Sequence, residues 1–234
     1  MDSARIPEQP QPPRRWRIVA TLDRISPFWG PQLVVLAALL LDLALPAKLT
    51  IGPSWLVPAV EGALLVGLAT ASTRPAARHS ELRRRVAIGL IGLVSAVNVF
   101  SLGLLSHYLI NGTKESGRSL IFSGIALWGT NILLFGLWFY ELDRGGPIAR
   151  MTRNERLPDF MFVPMAEGAR YAVPGWTPGL TDYLYLSFTN ATAFSPTDTM
   201  PLTAAAKWLM TGEGLVSLWI AVLVVARAVN ILNG

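Results

Sequence analysis

The chain has 234 residues, of which 52% are hydrophobic and only 15% charged, with a mean hydropathy of +0.42. A soluble domain carries about 25% charged residues, so the composition excludes an ordinary soluble domain and a mostly disordered chain. It points to an integral membrane protein. The absence of cysteine excludes disulfides, thiolate metal sites, iron–sulfur clusters and a cysteine nucleophile, and two histidines, His79 and His107, leave little for a histidine metal site. The net charge of +5 belongs to the loops of such a protein, and nucleic acid is not an expected partner.

Residues 1–13 are polar and proline-rich and read as a disordered tail without the features of a signal peptide. Residues 14–29 place Ile18, Leu22, Ile25 and Trp29 at helical spacing beside Arg14, Arg15, Arg17 and Arg24, the pattern of a basic interfacial helix. Four apolar segments fill 30–141: about Gln32–Leu45, Trp55–Ala71, Val86–Ile110 and Ser119–Tyr140. The first needs part of the leader to reach the roughly 20 residues that span a bilayer. Gly89, Gly92, Gly103, Gly124, Gly129 and Gly136 read as close-packing positions between helices. A polar connector, 142–179, follows with prolines and Gly145-Gly146. Within 180–234, residues 180–193 look helical but are too short to cross, a turn runs through Pro196, and Ala204–Leu232 is long enough to span. Pro201 is expected in the first turn of that last helix, where its missing N–H costs nothing. The expected fold is an all-α, multi-pass transmembrane bundle of about five spanning helices plus a short re-entrant helix.

Loop charge sets an orientation. Fifteen arginines lie in the N-terminal region (5, 14, 15, 17, 24), the second loop (74, 78, 83, 84, 85) and the connector (144, 150, 153, 156, 170), against Lys48, Lys114 and Arg118 in the alternate loops. The positive-inside rule puts the N-terminus and the connector in the cytoplasm, as for a multi-pass protein of the cell inner membrane.

Ionisable residues within spans are expensive and are candidates by default: Asp42, Glu61, Glu213 and Arg227. Asp42 and Glu61 sit at similar depth on neighbouring segments, with Lys48 between them as a counter-charge. A cation or proton site is one reading and a snorkelled or lysine-paired carboxylate the other. Asn98, His107 and Asn131 are candidates for hydrogen bonds across helices. Glu213 is expected to contact the 189–198 turn. No P-loop, dinucleotide fingerprint, HExxH helix or GxSxG elbow occurs. The expectation is a protein that is not an enzyme and carries no cofactor or metal.

The C-terminal stretch carries the sharpest pattern. Asp182, Tyr183, Tyr185, Ser187 and Phe188, then Asp198-Thr199-Met200-Pro201-Leu202-Thr203, then Lys207, Glu213 and Gly214, resemble the pore module of the two-helix-type potassium channel superfamily. That module has a pore helix, a TVGYGD filter, a turn to Pro and a long inner helix. The same stretch is similar to the DUF1345 family of bacterial integral-membrane proteins through Asp182, Leu184, Tyr185, Phe188, Thr189, Asp198, Val229, Asn230 and Ile231. The channel resemblance implies monovalent cations as ligands and a homo-oligomer, a tetramer in the channel arrangement.

One departure is chemical. Ser195, Pro196 and Thr197 occupy the Gly-Tyr-Gly positions. Backbone carbonyls build the potassium filter, and Pro196 fixes its own φ and restricts Ser195 toward extended angles. The expectation is a wider turn lined by Thr189, Asn190, Thr192, Ser195, Pro196, Thr197 and Asp198. The charge count sets the connector inside, whereas the channel filter faces outside, so the side of entry stays open. Three readings follow: an ion or small-solute channel lacking the potassium-selective filter, a non-conducting structural or regulatory membrane protein, and a cation-coupled transporter using Asp42 and Glu61.

Overall fold

The computed structural model describes residues 29–46, 49, 58–60, 62–63, 65–66, 81–111, 117–151, 156–166, 176–193 and 198–232. The elements in chain order are α1 (Trp29–Leu43), α2 (Glu81–Asn111), α3 (Gly117–Leu142), a 3-10 turn at Asp143–Gly145, α4 (Pro147–Met151), β1 (Phe160–Phe162), a 3-10 turn at Val163–Met165, α5 (Leu180–Ala193), β2 (Thr199–Pro201) and α6 (Ala204–Leu232). Residues 58–60, 62–63 and 65–66 are also helical.

Among the described residues, three helical stretches are long and apolar enough to cross a membrane: Arg84–Asn111, Gly117–Gly145 and Ala204–Val229. With the composition, they place this all-α chain in a membrane. α1 is shorter, and at 15 residues it rises about 22 Å, less than the roughly 30 Å hydrocarbon core. The second expected segment and the basic leader lie outside the described residues for most or all of their length. Helices α2 and α3 extend beyond the apolar segments expected for them. The Glu81–Arg85 turn belongs to α2, because a helix end accepts charge where an apolar count stops.

α3 is the axis of the bundle, packed by α1, α2, α5 and α6. Its register with each neighbour follows from specific contacts. Trp138 Nε1 donates to Ser95 Oγ of α2 at 3.0 Å. Asn131 Nδ2 donates to Ser217 Oγ of α6 at 3.1 Å. A Cβ at Gly129 would lie 3.4 Å from Leu41 of α1, and one at Gly136 would lie 3.2 Å from the Leu184 Cα of α5. Small residues on α3 therefore set how closely its partners approach, as expected where lipid gives no hydrophobic drive between helices.

β1 and β2 pair antiparallel, with Phe160 opposite Pro201, Met161 opposite Met200 and Phe162 opposite Thr199. Pro201 is thus a strand residue and does not lie in the first turn of the last helix, the place expected for it. The cap is Thr203, whose hydroxyl accepts from Ala206 N–H at 3.3 Å, the N-cap to N3 bond. At the start of α5, Asp182 Oδ2 accepts from Gly179 N–H at 2.8 Å, the return half of a capping box.

Candidate functional site

α5 enters the bundle beside the C-terminal end of α3, the same end at which α6 begins. Tyr183 and Asp143 mark that end, since the Tyr183 hydroxyl donates to Asp143 Oδ2 at 2.5 Å. The next residue, Leu184, packs on Gly136. Ser187 reaches the Ile132 carbonyl at 2.7 Å, ten residues back from the end of α3, or about 15 Å along it. The chain then returns, because Thr203 at the head of α6 donates to Asp159 Oδ1 at 2.7 Å and Asp159 N–H donates to Asp143 Oδ1 at 2.7 Å. The helix goes in and the strand comes back out at one end.

The inserted tip of α5 meets α6 through a buried polar triad. Glu213 is fully buried. Its carboxylate accepts from Asn190 Nδ2 at 2.7 Å and from the Ser187 hydroxyl, and Asn190 Nδ2 also donates to the Met210 carbonyl at 2.9 Å. A lone carboxyl at this depth carries a heavy desolvation cost, and two donors from α5 offset it. The expected contact between Glu213 and the 189–198 region is present through Asn190. Ser187, one turn earlier, is a second donor that pattern reading placed only as a pore-helix residue.

Other sequence candidates divide clearly. The Thr189 and Thr192 hydroxyls bond back to carbonyls of their own helix, Thr189 to Tyr185 O and Leu186 O, Thr192 to Phe188 O. Thr192 is exposed and Asp198 is exposed at the head of β2. Ser195, Pro196 and Thr197, the filter positions, lie outside the described residues, as do Glu61 and Lys48. Asp42 is buried, and its carboxylate has no hydrogen-bond partner among the described residues. Asn131 bonds across to α6, whereas His107 bonds within its own helix, its ring nitrogen 3.1 Å from Asn111 Nδ2. Arg227 is half-buried and its Nε has no partner among the described residues.

A second polar centre, which sequence reading missed, ties the entry end together. Asp143 is completely buried. Around it, Arg144 N–H donates to Asp159 Oδ2 at 3.0 Å, and Arg150 Nη1 donates to the Tyr140 and Asp143 carbonyls at 2.6 and 3.0 Å. The Arg150 guanidinium lies over the rings of Tyr140 and Tyr183, 4.6 and 5.0 Å from their centroids. Burial pushes the Tyr183 phenol above its ordinary range, which keeps it the donor of its bond to Asp143. Arg144 takes a left-handed φ of 53°, followed by Gly145 and Gly146 at 82° and 97°. That turn ends α3, and its bond to Asp159 compensates the roughly 1–2 kcal/mol that a non-glycine left-handed residue costs. The local signal was the Asp-Arg-Gly-Gly-Pro run. Its partners lie 15 to 40 residues away in sequence.

No family model, no curated protein and no solved structure matches this chain.

Proposed function

We propose that the chain is a multi-pass inner-membrane protein whose 180–234 module lets monovalent cations or small solutes pass, with several copies assembling around α5. The observation that supports this reading is that α5 stops inside the bundle. Asn190 sits level with Met210 and Glu213, six and nine residues into α6, or about 9 and 14 Å from its start. A helix that ends at membrane depth is tolerated only where protein or water covers its end. Thr192, on the last turn, is exposed on the single chain, so another copy or water covers it. The resemblance of the stretch to a potassium-channel pore module agrees with this, and Ser195-Pro196-Thr197 in place of Gly-Tyr-Gly argues against potassium selectivity.

The second reading is a non-conducting scaffold, and one observation favours it. The inward polar groups of α5 are consumed by Glu213, Met210 and Ile132, which leaves few of them to line a path. Flux through proteoliposomes separates the two readings. Conduction predicts cation or solute entry above that of empty vesicles, reduced by Asp198→Asn. Entry equal to empty vesicles at several protein densities would leave the scaffold.

A further inference from the structure

A different part of the bundle holds oxygen atoms that the fold leaves unsatisfied. Asp42 is 5% exposed, and neither of its carboxylate oxygens has a hydrogen-bond partner among the described residues. Asn98 Oδ1, Ser101 Oγ and Thr130 Oγ1 are buried and unpartnered in the same sense, on residues that are 1%, 1% and 0% exposed. Buried polar atoms are bonded in about nine cases of ten. Five unsatisfied oxygens on four residues in one region of a membrane bundle therefore need a partner.

Helix register brings them to a common depth. α2 and α3 run antiparallel between the Ser95–Trp138 bond and the contact of Leu105 with the Gly124 position, 3.8 Å away. Asn98 and Ser101 lie between those points on α2, and Thr130 lies between them on α3. α1 meets α3 at Leu41 and Gly129, the immediate neighbours of Asp42 and Thr130. Leu45, Leu102 and Leu127 share one buried cluster. They are respectively three residues after Asp42, one after Ser101 and three before Thr130.

The donor set is one carboxylate, two hydroxyls and one amide carbonyl. All are hard oxygen ligands, suited to alkali and alkaline-earth cations and poorly suited to soft metals. Charge selects between the two cation classes. One carboxylate with one positive charge is neutral, whereas a divalent ion leaves a net charge in a medium that penalises it by several kcal/mol. We propose that Asp42, Asn98, Ser101 and Thr130 form an intramembrane binding site for one alkali cation, between α1, α2 and α3. The inference stands apart from conduction by the α5 module.

The test is a thermal melt of the purified full-length chain in detergent, with NaCl or KCl replacing choline chloride at constant ionic strength. The expected result is a saturable rise in Tm with at least one alkali cation beyond that given by choline. Thr130→Val and Ser101→Ala are expected to move the midpoint of that rise to higher concentration, about tenfold for loss of one ligand. Asp42→Asn is expected to fold without any cation response, and if it does not fold, the two hydroxyl variants carry the test. Three results overturn the site: no difference between alkali chloride and choline in the natural chain, an unchanged midpoint in both hydroxyl variants, or stabilisation by acid alone with no response to either cation.

Discussion

Asn190 divides one side-chain amide between two points of a single turn of α6: Nδ2 is 2.9 Å from the Met210 carbonyl and 2.7 Å from Glu213 Oε2. The tip of the inserted helix is thereby pinned in depth as well as in rotation. A sliding motion of α5 against α6 breaks both bonds together.

The first prediction tests that pin. Glu213→Gln keeps an acceptor for Asn190 and is expected to lower stability only slightly. Glu213→Leu removes the acceptor and leaves one buried Asn190 N–H unpaired, while the Ser187 hydroxyl keeps the Ile132 carbonyl, with a loss of about 1–3 kcal/mol. Thermal melts in detergent that rank the leucine variant above the glutamine variant would contradict the contact.

The second concerns the entry end. Asp143→Ala leaves both the Tyr183 hydroxyl and the Asp159 N–H without an acceptor, at about 1–3 kcal/mol for each buried donor. Tyr183→Phe removes a donor while Asp143 keeps its bond from Asp159, so its cost is expected to be smaller, about 1 kcal/mol. The order of the two melting temperatures is the measurement.

The third uses glycines as spacers. A Cβ at Gly136 would lie 2.7 Å from Leu184 Cδ2 and 3.2 Å from the Leu184 backbone, whereas nothing lies within 4 Å of one at Gly103. Gly136→Ala is expected to push α5 off α3 and lose about 1–3 kcal/mol. Gly103→Ala is expected to be neutral or to gain up to about 1 kcal/mol from helix propensity. Equal effects at the two sites would show that α5 does not pack as described.

The fourth follows from the arginine count. The chain has no cysteine of its own, so single replacements report cleanly. Leu157 and Asn111 are exposed, one in the arginine-rich connector and the other at the last residue of α2. Leu157→Cys is expected to resist an impermeant thiol reagent in intact cells, and Asn111→Cys to react. The reverse pattern would invert the bundle.

Much of α5 and α6 was legible in the sequence because both are punctuated locally. Pro178-Gly179 precedes α5 and Thr203 precedes α6, and their bounds at Leu180–Ala193 and Ala204–Leu232 match the apolar pattern. Glu213 was recognisable as a buried charge in need of donors, since carboxyls inside apolar helices always raise that question. The pairing of Asp143 with Tyr183, and of Asp159 with Thr203, spans 40 and 44 residues. Neither has a periodic signature, and each residue alone reads as ordinary loop or helix chemistry. Pro201 was misplaced for the same reason, because its strand is defined only by Phe160, in a distant segment. The approach of Asp42 to Glu61 and Lys48 suggested by the neighbouring segment falls on residues outside the described ones, whereas the packing of α1 on α3 next to Asp42, at Leu41 and Gly129, has no signature in the sequence.

The strand pair at the entry end has a consequence for biosynthesis. Phe160–Phe162 and Thr199–Pro201 close a chain loop that contains the whole of α5. A 14-residue helix is too short for the translocation machinery to hand to lipid as a span of about 20 residues. The loop cannot close until the ribosome has released Pro201, and Glu213, which receives the tip of α5, is made later still. α5 therefore reaches its place beside Glu213 only after α6 has begun to emerge, later than the longer helices before it. Chain termination just before Thr199 would leave α5 without β2 to close the loop behind it and without Glu213 to receive its tip.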